Sequence, residues 1–410
     1  MPGREVKYNR PLRLGVFGFG TVGQGLYHLL REDDFRLAEI AGVCVKAKSK
    51  KRIISSDIFS YEPEALLNDS TLDVIVELID DAQAAYDIVT SALKRGKPVI
   101  SANKKLIAEN FDELQRLADE NNTTLLYEAS TCGSIPIINT LENYYPSLPI
   151  DSISGVFNAS SQFILSCMQE GKSSIDDALA EAQRLGFAES DPSLDIKGDD
   201  TRYKLSILAA HAFGVTVAPG DIPMFGIQNI SCDDIVMASK NNCRIKLVGE
   251  GKVIDSHISN IVAPVFIPHD DILYSIEGAG NAVVVNSDSS FGHHLIFGKG
   301  AGSRPTASAV VSDINFLSEG GKYFRNKQIS GTHFQTAEIL KNVYIRGDSL
   351  DWLAESSAIE NFRIRQSDSL TFATAWVNLS KLCKSLEFIN SNSFLAILPE
   401  QLGDDWGNDA

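Results

Sequence analysis

Long apolar runs are absent. No uncharged apolar stretch of about 18 residues occurs anywhere, and the opening MPGREVKYNRPLRLG holds no leader-like apolar core of roughly 7 to 15 residues. This argues against a membrane span and a secretory leader, and a soluble, cytoplasmic protein is expected. Basic charge is also scarce: 37 Lys and Arg against 53 Asp and Glu give a net charge of -16. A nucleic-acid partner, which needs a Lys/Arg footprint, is not expected. Cysteine is sparse and scattered, at Cys44, Cys132, Cys167, Cys232, Cys243 and Cys383, with no CxxC pair and no metal-like grouping with histidine. Thiols in a reducing compartment are the simplest reading. Internal repeats and low-complexity tracts are missing too.

What is present is an ordinary globular composition, 44% hydrophobic and 22% charged, in a 410-residue chain too long for one core. Residues 1–150 alternate strand and helix signals: LRLGVFGFG, a helix through Val22, Leu26, Leu29 and Leu30, then IAGVCVKA, LDVIVELI, AAYDIVTSALKRG, KPVISAN, NFDELQRLADENN and TTLLYEAS. Short apolar strands separated by amphipathic helices predict an α/β fold, a Rossmann-type doubly wound parallel sheet. Residues 151–320 mix longer strands and helices and are expected to form an α+β catalytic and dimerisation domain. A polar linker is placed at 321–340. Residues 341–410 then predict a small β-α-β-β-α-β module of the ACT or ferredoxin-like kind, with a regulatory or an oligomerising role equally open.

GVFGFGTVGQG sets Gly18, Gly20 and Gly23 in GxGxxG spacing between a strand and a helix, the frame in which that motif signifies a dinucleotide. The end of the second strand reads VCVKAKSKKR, with Lys46, Lys48, Lys50, Lys51 and Arg52 in place of the acid that suits NAD. NADP is therefore expected over NAD, a solvated basic loop being the alternative.

The chain also resembles a known family. DVIVELI, SANKKLIA, YEASTCGSIPII, GVFNASSQFIL, LGFAESDPSLDIKGDDTRYKLSILA and GKGAGSRPTASAVVSDI stand in the order seen in homoserine dehydrogenases, across roughly residues 12 to 318. The resemblance implies NAD(P)-dependent interconversion of L-homoserine and L-aspartate 4-semialdehyde, a step toward threonine and methionine, by a homodimer or homotetramer. It makes Lys104 and Lys204 the catalytic lysines, and it puts Glu189 and Asp200 at the substrate's amino group with Asp195 nearby. Thr21, Val22, Ser101, Ala102, Asn103 and Gly302 join the cofactor set, Gly302 within Gly300, Ala301, Gly302, Pro305 and Thr306. The backbone of Glu128, Thr131, Gly133 and Ile135 corresponds to a site for a monovalent cation, Na+ or K+.

The residues bear a separate reading. Asp200 and Lys204, spaced i, i+4, share a helix face away from the apolar stripe Leu205, Leu208, Ala209 and Ala212, and so face a cleft in which Lys204 is exposed. Reducing an aldehyde builds negative charge on oxygen, which a lysine ammonium can meet or protonate. Acids suit the substrate's ammonium, and Lys104 suits either its carboxylate or proton transfer. A helix N-cap at Asp199 or Asp200 with a surface ion pair is the plainer alternative, and His211 reads as a packed helix histidine.

Departures from the family pattern stand at Asp80 and Asp81 (usually a glycine pair), at Asn158 to Gln162 (usually NGTTN), and at Cys132, Gly133, Ser134. The acid pair is expected to crowd the cofactor's backbone approach, which keeps two alternatives open: an oxidoreductase of another amino-acid aldehyde, and a non-catalytic dinucleotide or amino-acid sensor.

Overall fold

The computed structural model describes residues 10–32, 37–47, 54, 56–171, 173–255, 257–288, 292–324, 338–367 and 370–400. The chain forms two compact units, Met1–Ser147 with Gly298–Gln328, and Leu148–Phe297 with Ile329–Ala410.

The first unit carries β1 (Leu12–Phe17), β2 (Ala38–Cys44), β3 (Phe59–Ser60), β4 (Val74–Glu77), β5 (Val99–Ser101) and β6 (Leu125–Leu126). They form a six-stranded parallel sheet in the order β3-β2-β1-β4-β5-β6. This is the doubly wound order, whose reversal between β1 and β4 opens a crevice at the strands' carboxyl ends. Its strands are apolar on both faces: Leu14, Val16, Val74, Ile75, Val76, Val99 and Ile100 are fully buried, as a sheet covered by helices requires.

The helix Ser303–Ser318 belongs to this unit, against the expected 151–320 division. It packs on the helix Thr21–Leu29, where Ser303 Oγ donates to Thr21 O at 2.7 Å. Gly25 makes the approach possible, since a Cβ there would stand 2.5 Å from Ser303 Oγ.

The second unit is built on one nine-stranded sheet. Its strands are β7 (Ser152–Val156), β8 (Cys243–Ile254), β9 (His257–Pro268), β10 (Gly280–Ser287), β11 (Gly292–Lys299), β12 (Leu340–Arg346), β13 (Ile359–Ser367), β14 (Leu370–Asn378) and β15 (Phe394–Ile397). The order is β11-β10-β7-β8-β9-β15-β12-β14-β13. The helices Ala159–Gly171 and Asp199–Phe213 pack on its first half.

The C-terminal strands keep the split-βαβ order β15-β12-β14-β13, with a 3-10 turn at Asp351–Ala354 where a helix is expected. They do not stand apart as a separate domain. β15 joins β9 in parallel through Ile397 and Val265, and Phe225, Ile261 and Ala263 share one apolar cluster with Val343, Ile345, Ala373, Ala375 and Leu395. Of the expected linker 321–340, residues 325–337 lie outside the described residues.

Candidate active site

In the first unit the three motif glycines answer to three different demands. Gly18 has φ +93, and a Cβ on it would stand 2.6 Å from Leu78 O. Gly23 packs against Gly18 O at a Cβ distance of 2.7 Å, whereas nothing lies within 4 Å of the Cβ position of Gly20. A tight turn, an open approach for a pyrophosphate and a close helix contact are what a dinucleotide needs from these positions. Beside them lies a pocket of about 560 Å³ whose lining includes Phe19, Gly20, Lys46, Tyr61, Ile79 and Asp80, a size ordinary for small-molecule and cofactor sites. Thr21 and Val22 open the helix Thr21–Leu29, and Gly302 precedes the Ser303 that touches it.

Lys46 lines this pocket and is tied to an acid: its Nζ lies 3.2 Å from Asp81 Oδ2, both side chains being exposed. Lys48, Lys50, Lys51 and Arg52 lie outside the described residues. Asp81 does not crowd the backbone. Its other oxygen caps the helix Ala82–Lys94, accepting from Gln83 N and Ala84 N at 3.1 Å each. These amides and Lys46 hold its carboxyl below the usual range. Its φ is -72, so the position does not call for glycine. Asp80 stands exposed on the pocket's lining.

Glu77, at the end of β4, was not singled out from sequence, yet it organises this crevice. It is fully buried, accepting from Ile79 N at 2.5 Å and from Ser101 Oγ at 2.6 Å. Ser101 Oγ in turn accepts from Asn103 N at 3.1 Å, and Asn103 Nδ2 donates to Ile79 O at 2.9 Å. Asn103 Oδ1 then caps the helix Lys104–Glu109 through Leu106 N at 2.9 Å. Ser101, Ala102, Asn103 and the half-buried Lys104 thus sit where β5 ends, braced against the end of β4. Burial pushes the Glu77 carboxyl up to about 7, against the bonds from Ser101 and Ile79. An acid ending an apolar strand was the available signal.

The second unit brings Asp195, Asp200 and Lys204 together. The helix Asp199–Phe213 runs between Gly198 (φ +98) and Gly214 (φ +69), left-handed positions that suit glycine. Lys204 Nζ lies 2.7 Å from Asp200 Oδ2 and donates to Phe157 O at 2.7 Å.

The expected exposed face is wrong: Asp200 is 4% and Lys204 6% exposed. The helix is buried nearly all round because β7, β8 and β9 lie along it, and Leu205, Leu208, Ala209 and His211 are at 0%. A surface ion pair is excluded. Asp200 is therefore not a solvated cap, and it lies in the first turn with Asp199.

Asn158, the first residue of the altered NGTTN segment, belongs to this cluster. Its Nδ2 donates to Asp195 Oδ1 at 2.7 Å and to Asp200 Oδ2 at 2.8 Å, while its Oδ1 accepts from Ser161 N at 2.7 Å. Burial first, then the charge of Asp200, raises the Asp195 carboxyl. Glu189 stands exposed on its loop, its carbonyl accepting from Gln183 Nε2 at 2.9 Å, so its carboxylate is not brought into the cluster.

Around the expected cation loop, Glu128 O accepts from Thr131 Oγ1 at 3.1 Å and Ile135 O from Ile137 N at 2.8 Å. Gly133 (φ +62) lets the loop close on Lys299 and Gly300, which a Cβ would meet at 2.5 Å and 2.6 Å. Among the described residues no group of three or more His, Cys, Asp and Glu could hold a metal, so any ion here would rest on carbonyl oxygens. All six cysteines are free thiols. No described helix is long and apolar enough to cross a membrane.

A doubly wound sheet with this glycine turn, and a buried lysine among acids, define a dinucleotide-dependent oxidoreductase. Comparison with known proteins narrows the class. A family model described as homoserine dehydrogenase matches residues 136–315, and one described as homoserine dehydrogenase, NAD binding domain, matches residues 18–128. The chain is 37% identical over 314 residues to the homoserine dehydrogenase of Lactococcus lactis, covering 74% of this chain and 73% of that one. A homoserine dehydrogenase crystal structure from Thiobacillus denitrificans matches with a TM-score of 0.83 at 30% identity, over 95% and 98% of the two chains. A hyperthermophilic archaeal homoserine dehydrogenase in complex with NADPH matches with a TM-score of 0.65 at 28% identity, over 77% and 100%.

The chain belongs to the homoserine dehydrogenase family. Its activity is the NAD(P)-dependent interconversion of L-homoserine and L-aspartate 4-semialdehyde.

Proposed function

We propose that Lys204 is the group that meets the reacting oxygen, held for that task by Asp200, Asn158 and Phe157 O. The observation that carries this reading is the buried ion pair itself: two of the three ammonium N–H bonds are used at 2.7 Å, and one remains for a substrate oxygen. The bound dinucleotide supplies or accepts the hydride. As the aldehyde is reduced its oxygen gains charge, and Lys204 stabilises and protonates it, worth about 3 kcal/mol or more in a site shielded from water. Asp200 and Phe157 O fix the direction of the Lys204 ammonium. The substrate's ammonium falls to Asp200 with Asp195 nearby, Glu189 standing exposed outside that cluster, and Lys104, at the N-terminus of its helix, takes the carboxylate or, in place of Lys204, the proton transfer.

NADP is the preferred dinucleotide in this reading, supported by Lys46 on the pocket lining and by the NADPH bound to the archaeal relative. A Na+ or K+ ion is placed on the carbonyls of Glu128, Thr131, Gly133 and Ile135, the hard oxygen donors such ions take. The enzyme works in the cytoplasm on the route to threonine and methionine, a reading that its free thiols fit. It works as a homodimer or homotetramer: terminal strand β11 leaves Leu295 37% and Phe297 60% exposed on an open sheet edge. The C-terminal strands have the split-βαβ order, which suits a regulatory or an oligomerising role alike.

The test is NADP reduction with L-homoserine at alkaline pH, beside NAD and a Lys204→Ala control. Turnover that NADP supports better than NAD, lost in the variant, is expected. A near-normal rate for Lys204→Ala would remove the mechanism.

A further inference from the structure

We propose that the polar cavity lined by Lys246 in the second unit binds a small, singly charged oxyanion that keeps a proton, of the dihydrogen phosphate or bicarbonate kind. The cavity measures about 210 Å³, and Gln169, Arg244, Lys246 and Glu277 are among its lining residues. That volume admits a few heavy atoms and excludes a nucleotide.

Lys246, on β8, is 1% exposed. Among the described residues its Nζ has one acceptor, Ile276 O, and no carboxylate within ion-pair distance. The same carbonyl accepts from Gln162 Nε2 at 2.7 Å, so it has no further capacity to offer. Gln169 donates through Nε2 to Leu165 O and Ile245 O at 3.0 Å each, while its Oε1 is buried without a partner.

The cavity therefore offers two N–H bonds of a buried ammonium that need acceptors, and its lining residue Gln169 carries one buried amide oxygen that needs a donor. An oxyanion carrying one proton supplies both from a single small molecule, and it supplies the missing counter-charge. Water would meet the hydrogen bonds but not the charge.

The neighbouring charges set the ligand's valence. Arg244 is bound to Glu277 and to Tyr274 O, with its guanidinium 4.5 Å from the Tyr274 ring centroid. Glu170 lines the cavity as well. Arg244 and Glu277 cancel each other, so the charge left for a ligand to offset is that of Lys246 alone, and Glu170 on the same lining opposes any second negative charge. Burial, then Arg244, push the Lys246 ammonium down to about 8, with Glu277 pulling the other way. That is the behaviour of a charge with no counter-ion of its own.

The site stands apart from the catalytic cluster but shares an element with it. Gln162, Ser166 and Gln169 lie at helical spacing along Ala159–Gly171, the helix that Asn158 begins between Asp195 and Asp200.

The experiment is titration calorimetry on the full chain, saturated with NADP+ or NAD+ so that the glycine turn is filled. Inorganic phosphate and bicarbonate are added in separate arms, against chloride at matched ionic strength. One oxyanion per chain is expected, in one arm or both, weakened at least tenfold in Lys246→Met and in Gln169→Leu. Lys246→Met keeps the side chain's length, and Ile276 O keeps its Gln162 donor, so folding should survive. Gln169→Leu gives an independent variant that leaves the lysine in place. Heats no larger than those of chloride in both arms would overturn the proposal, as would binding that both variants leave unchanged.

Discussion

The dinucleotide end and the substrate end are built from opposite materials. The first works through backbone and absent side chains: Gly18 turns, Gly20 leaves space and Gly23 packs. The second works through buried charge, with Lys204 and Asp200 at 6% and 4% exposure and Asn158 bridging two acids. A backbone site tolerates solvent and is specified locally. A buried ion pair must be fully satisfied, because either partner left alone in the interior is costly.

Removing one charge should therefore do more damage than adding one methyl group. Lys204→Ala is expected to lower kcat by a thousandfold or more, and to cost about 3 to 5 kcal/mol by stranding Asp200. Steady-state rates and denaturant unfolding on the same preparation check both. A lost rate at unchanged stability would mean that the pair is not as closed as it stands here. Gly18→Ala comes next. The new Cβ would meet Leu78 O at 2.6 Å in a backbone at φ +93, so the dinucleotide KM should rise tenfold or more while the homoserine KM stays near its original value. Equal rises in both would break the contrast between the two ends.

The same contrast explains what sequence could tell. Glycine spacing between a strand and a helix is a local signal, so the crevice and its sheet order were legible. The acid-lysine spacing was legible too, but not its burial. Residues Asp199 to Phe213 show an apolar stripe on one side, whereas β7, β8 and β9, the last two beginning about thirty residues or more further on, cover the helix elsewhere.

Asn158 and Glu77 were missed as site residues for a related reason: each acts by joining segments distant in sequence, Asn158 with Asp195 and Asp200, Glu77 with Ser101. The tie of Ser303 to Thr21 spans the first unit's two sequence segments and is equally invisible to local patterns. Helix propensity also failed at Asp351–Ala354, where only a 3-10 turn forms.

Glu77 gives the dinucleotide end one buried charge of its own. Its carboxyl rises from an ordinary 4.5 to about 7 on folding, so its protonated form is favoured in the folded state. Its contribution is full below about pH 4.5 and is lost as pH rises through 7, a change of about 3 kcal/mol. Glu77→Gln, which cannot ionise, should flatten that part of the stability curve between about pH 4.5 and 7. Melting temperatures across this range decide the matter. A wild-type slope that survives in the variant would assign the titration elsewhere.

The smallest effect sits at the exposed rim, where Lys46 and Asp81 meet at 3.2 Å with side chains 77% and 51% exposed. Such a pair is largely screened by water, so whatever it does to coenzyme choice is a matter of a few fold. Asp81 holds two posts, as partner of Lys46 and as cap of the helix Ala82–Lys94. Asp81→Asn separates them, because an asparagine caps as well as an aspartate but carries no charge. If Lys46 serves a 2'-phosphate, the acid competes for it, and Asp81→Asn should lower the KM for NADP about two- to fivefold while leaving that for NAD unchanged. Lys46→Ala should shift the ratio in the opposite direction. Should Asp81→Asn move both coenzymes equally, the pair would belong to the cofactor pocket in general, and the selectivity would have to come from another group.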